Sequence, residues 1–150
     1  MKKNRILTLV FLALAVAAMA LSACGPKGTP EPVTLTVTGK VNTELQLSDS
    51  ALHKMTVVTL NLTHPKKGAA DYTGVRMSDL LAKAGIQSGA ATVTLTGSDG
   101  YTFDIDLATL QACADCMVSF DSTTAGVYNA AMPDQSGKAW VSSLVKIEIK

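Results

Sequence analysis

The stretch from Tyr72 to Tyr101 constrains the fold of this chain more than any other. Within it, Met77, Leu80, Leu81 and Ala84 recur at helical spacing and share one face, so the first half reads as a short amphipathic helix. Asp79 falls in its first turn, where the helix dipole favours negative charge, and Gly85 stands where a left-handed residue can end it. The second half reads as a hairpin. Val93 and Leu95 alternate with Thr92, Thr94 and Thr96, and Tyr101, Phe103 and Ile105 alternate on the return. Asp99-Gly100 provides the positive φ of a tight turn between them.

Strand signals flank this unit on both sides. Val33–Thr38 alternates strictly and ends at Gly39, and Val41–Leu47 reads as a second short strand. Ser48-Asp49-Ser50 caps a turn of helix over Ala51–Lys54. Met55–Leu62 is rich in β-branched residues and reads as a more buried strand, followed by a loop from Thr63 to Ala70 that leads into the helix. After the hairpin, Asp106 caps a short helix over Leu107–Cys113. Strands are expected at Met117–Phe120, Val127–Met132 and from Val141 or Ser142 to Ile149. Many strands with two or three short helices predict an α+β fold around a mixed or antiparallel sheet.

The first 32 residues are of another kind. Lys2, Lys3 and Arg5 precede an apolar run from Ile6 to Leu21, and Leu21-Ser22-Ala23-Cys24 follows. This is the pattern of a lipoprotein signal peptide over 1–23, with Cys24 carrying a diacylglyceryl group and a further acyl chain such as palmitate. The run is short for a full membrane span. Residues 24–32, with Pro26, Gly28, Pro30 and Pro32, read as a tether, leaving 33–150 as a single domain. The expected location is the extracytoplasmic face of a bacterial membrane, in the cell envelope, held by lipid. Loss of 1–23 removes three of 13 basic residues and none of 12 acidic ones, so the mature chain carries −2. With no basic stripe and few aromatics, nucleic acid is excluded as a partner.

The pattern aromatic-x-Gly-Val-x-apolar-x-x-Leu-Leu-x-x-Ala-Gly over Tyr72–Gly85, then a strand and Asp99-Gly100-Tyr101, resembles the molybdopterin-binding domain of sulfite-oxidase-type oxidoreductases. A looser likeness spans Val33 to Ile149 and includes Trp140-Val141. The resemblance implies that family's fold and a ligand pocket near His64, Tyr72, Gly74, Asp99 and Tyr101. It also implies a molybdenum held by a pterin dithiolene and one cysteine thiolate, a soft ligand the metal requires. That cysteine would fall at about Leu62, and no Cys occurs from Leu62 to Gly85. Arg76 is the one arginine after the signal, which leaves little for a bidentate grip on a pterin phosphate. The expectation is therefore a degenerate domain without cofactor, acting as a binding or accessory module toward a small molecule or a protein of the envelope. Two alternatives stand beside it: a molybdopterin-dependent or C-x-x-C-dependent oxidoreductase, and a structural envelope lipoprotein.

Cys113-Ala114-Asp115-Cys116 is the remaining motif. In an oxidising compartment the pair is a candidate disulfide. Buried free thiols, a redox-active pair and a metal site are the other readings. Haem attachment is excluded, because Met117 stands where His is needed. No metal site is expected. Asp99 and Asp106 are explained by a turn and a cap, and calcium demands at least six oxygens.

Overall fold

The structure is a computed structural model, and it describes residues 30–150. The expected signal peptide, Cys24 and most of the tether lie outside the described residues. Among the described residues, nine strands form two sheets. The first has the order β2-β1-β9-β5-β6, built from β1 (Val33–Gly39), β2 (Leu45–Ser48), β5 (Thr92–Gly97), β6 (Thr102–Asp106) and β9 (Leu144–Ile149). The second has the order β3-β4-β7-β8, from β3 (Val57–His64), β4 (Gly68–Arg76), β7 (Met117–Phe120) and β8 (Tyr128–Ala131). All pairs are antiparallel except β1 with β9. Three short helices complete the unit Glu31–Lys150: α1 (Asp49–His53), α2 (Met77–Ala84) and α3 (Leu107–Ala112). No described helix is long and apolar enough to cross a membrane.

The alternation read from the sequence places the core. Leu35, Val37, Val93, Leu95, Ile147 and Ile149 of the first sheet are buried in one cluster with Val75, Val118, Tyr128 and Ala130 of the second. The α2 face Met77, Leu80, Leu81 and Ala84 closes on this cluster, as its spacing requires, and Leu107 and Leu110 of α3 join it. Ser48 caps α1 through the N–H of Ala51, and Asp106 caps α3 through the N–H of Thr109.

Four expectations need correction. Tyr72–Arg76 is not helical: β4 runs unbroken to Arg76, and α2 begins at Met77. The expected loop over Thr63–Ala70 shrinks to a tight turn at Pro65–Lys67, since Gly68 takes φ 84° and starts β4. Gly68, Ala69, Ala70 and Asp71 have weak strand preference of their own. Full-length pairing from Val57↔Val75 to His64↔Gly68 supplies the stability, with Thr59–Thr73 and Asn61–Asp71 side-chain hydrogen bonds across the ladder. Third, β3 is not a buried strand but an edge, and its exposed and covered residues alternate. Fourth, Val41 makes only an isolated bridge to Ile86, and β2 is limited to Leu45–Ser48.

Tyr128 ties the sheets together. Its hydroxyl donates to Asp49 Oδ1 at the start of α1 and receives the Thr34 hydroxyl of β1 at 3.5 Å. Burial, then the Asp49 hydrogen bond, push its pKa from 10 to about 12. Because the folded value is raised, the contribution is intact below pH ~10 and is lost as pH climbs from about 10 through about 12. Denaturant melts across this alkaline window should show a fall in stability that Tyr128→Phe removes; an unchanged slope in the variant would discount the bond.

Candidate functional site

Where β3 turns into β4, three aromatic side chains meet. His64 ends β3, Tyr72 lies midway along β4, and Trp140 precedes β9. The His64 and Trp140 ring centroids are 4.7 Å apart at 61°, and those of Tyr72 and Trp140 are 5.3 Å apart at 59°. These edge-on geometries suit ring quadrupoles. Beneath them Leu62, Met117 and Ala131 form a small separate apolar cluster, with Leu62 only 5% exposed. The rings, Lys67, Asp121 and Asn129 border a cavity of about 250 Å³. A second hollow of about 500 Å³ adjoins it through Tyr72, Asp121 and Asn129.

The polar groups of this cavity are mostly assigned. His64 Nδ1 accepts from the backbone N–H of Lys66 at 3.0 Å and of Lys67 at 3.2 Å. Nδ1 is thus an acceptor, and the neutral ring carries its proton on Nε2, as a donor. Asp121 takes N–H and O–H from Thr123, N–H from Thr124 and the Asn129 amide. The Thr123 hydroxyl, then its N–H, lead these bonds in lowering the Asp121 pKa to about 2, so its charge is fixed and already solvated by the protein. Trp140 Nε1 is the one buried side-chain polar atom without a partner among the described residues. What remains for a ligand is a set of donors, His64 Nε2, the Tyr72 hydroxyl and Lys67, beside aromatic surface. That set suits a small polar or anionic molecule.

Of the five residues expected to line a pocket, His64 and Tyr72 do so. Gly74 does not: a Cβ there would lie 2.0 Å from the Val118 carbonyl oxygen, so this glycine serves the approach of β4 to β7. Asp99 is occupied in its turn, accepting the Tyr101 N–H at 2.9 Å. Tyr101 is 43% exposed and donates its hydroxyl to the Lys138 carbonyl at 3.0 Å. The β5–β6 turn belongs to the other sheet, and the 138–143 segment intervenes. Trp140, Asp121 and Asn129 were not anticipated in the pocket. The signal for Trp140 was available, since it is the chain's single tryptophan.

Cys113 and Cys116 are joined in a disulfide. Cys116 is fully buried, and its carbonyl receives the Met77 N–H at the start of α2. Arg76 donates to the Ala114 carbonyl and, at 3.1 Å, to Asp115 Oδ1. The one arginine of the domain is therefore committed to the C-x-x-C loop. Asp104 accepts from the Thr94 hydroxyl, and among the described residues no cluster could hold a metal ion.

A family model for the oxidoreductase molybdopterin binding domain matches residues 24–149, so the chain belongs to that family. The fold has solved relatives. In the crystal structure of the sulfane dehydrogenase SoxCD from Paracoccus pantotrophus, a similar fold is found with TM-score 0.63 and 18% identity. The match covers 77% of this chain and 37% of that one, so this chain spans well under half of the enzyme's length. No curated protein sequence matches it.

Family membership favours molybdopterin as the ligand class and weighs against the expectation of no cofactor. Among the described residues the side chains do not fit the metal. Both cysteines of the described residues are consumed in the disulfide, and a leucine packed on Met117 and Ala131 occupies the place that the resemblance gives to the ligating thiolate. Leu62→Ala should cost about 2–5 kcal/mol, as truncation of a packed core leucine does. Urea denaturation measures it, and a loss below about 1 kcal/mol would mean the site collapses or is loosely packed.

Proposed function

We propose that this chain is a lipid-anchored, extracytoplasmic lipoprotein whose molybdopterin-oxidoreductase-like domain has lost the metal chemistry and serves as a binding or accessory module. The observation that carries this reading is the donor set. Leu62 cannot replace a thiolate, and Cys113, Cys116 and Arg76 are engaged with one another's loop. Binding then falls to the His64–Tyr72–Trp140 cavity, whose ligand would be a small polar or anionic molecule or a side chain of an envelope protein. The lipid anchor rests on the Leu21–Cys24 pattern. Two or more hydrocarbon chains on Cys24 suffice for stable attachment where one does not.

The family match supports one other reading, a molybdopterin-dependent oxidoreductase, and elemental analysis separates the two. Full-length chain purified from cells that make the cofactor should contain molybdenum far below one atom per chain by inductively coupled plasma mass spectrometry. Stoichiometric metal would overturn the degenerate reading and restore the enzyme. The anchor has its own test. Cys24→Ala should leave the signal uncleaved or release the protein from the membrane fraction; normal processing and retention would refute lipidation.

A further inference from the structure

Sheet edges expose unpaired backbone donors and acceptors, and proteins guard them by shortness, charge or cover. Three of the four edges here are guarded. β2 has four residues and passes directly into α1. β6 carries Asp104 and Asp106, so two such edges would oppose carboxylates. β8 has four residues, and its Ala130 N–H is already bonded to the Val141 carbonyl. The fourth edge, β3, is eight residues long and pairs with β4 without a bulge. From Val57 to Thr63 it contains no charge and no proline, and its outer backbone has no partner among the described residues.

We propose that β3 is a self-association edge, on which a second copy of this chain adds its own β3 in antiparallel register. A two-fold axis requires a surface that matches itself. In β3, Val58, Leu60 and Leu62 share one face, and Thr59, Asn61 and Thr63 share the other. Any antiparallel pairing that preserves the pleat sets apolar against apolar and polar against polar. Because the strand is neutral from Val57 to Thr63, no like charges oppose one another within that ladder. The apolar face is open to a partner: Val58 and Leu60 are only partly covered, and Tyr72 extends it onto β4 as the cross-strand neighbour of Leu60. Val57, 39% exposed, lies on the opposite face with Thr59 and Asn61. The chemistry of the partner is thus that of an uncharged, alternating strand, which this chain itself supplies.

The test is sedimentation of the full-length chain in mild detergent, with micelles in excess so that two chains do not share one by chance. Wild type should show a reversible monomer–dimer equilibrium. Asn61→Lys should weaken it at least about tenfold, or ~1.4 kcal/mol. The new lysine faces Asp71, which already accepts from Asn61 at 2.7 Å, so the β3–β4 pair should keep its melting temperature. Thr59→Lys, on the same exposed face, is the second variant. Amide hydrogen exchange of wild type at low and high protein concentration provides a readout without substitutions, with concentration-dependent protection expected in β3. A wild type that stays monomeric, lysine variants that associate as wild type does, or exchange in β3 that ignores concentration would each overturn the proposal. So would association of β3 with a different protein only.

Discussion

The contact of β4 with β7 at Gly74 is the constraint on which the second sheet and both ends of its chemistry depend. A side chain there would have to occupy the space of the Val118 carbonyl, so a glycine is needed for β4 to pair with β7. Through that pairing β4 joins the β3 edge to β7 and β8. It then delivers Arg76 to the disulfide loop and Met77 to the first turn of α2, where its N–H meets the Cys116 carbonyl. Midway along its length β4 places Tyr72 beside Trp140. One strand thus organises the cavity, the C-x-x-C loop and the start of the helix, and its approach to β7 depends on the residue with no side chain.

The elements that could be read from the sequence are those whose pattern and packing agree. The α2 stripe and the β5–β6 hairpin were legible because Met77, Leu80, Leu81 and Ala84, like Val93 and Leu95, all face one core. The caps Ser48 and Asp106 were legible because their chemistry is local. β4 was not. Its first residues carry no strand propensity and are held by a partner ladder, a long-range cause that no window of sequence contains. The burial of β3 was misjudged for a related reason. Its composition suits a central strand, and only topology makes it an edge.

The candidate site was half legible. His64 and Tyr72 lie close in sequence and both meet the same tryptophan at steep interplanar angles. Asp99 and Tyr101 were grouped with them by the family pattern, yet the hairpin that carries them belongs to the other sheet. Asp121 reaches the cavity from the β7–β8 connection, which looked like an ordinary polar turn, and Asn129 reaches it from β8. The resemblance named the family correctly; the departure from its pattern at Leu62 was legible as well, because a missing thiol can be read from the sequence alone.

The parallel pairing of β1 with β9 bears on when the domain can assemble. β9 lies in the middle of the five-stranded sheet, between β1 and β5, and comprises residues 144–149. Until that segment is synthesised, β1 with β2 and β5 with β6 are two separate hairpins lacking the strand that joins them. Isolated two-stranded hairpins are marginal in water. A nascent chain of this sequence therefore stays unassembled along its first sheet until residues 144–149 have been made, however early its other strands emerge.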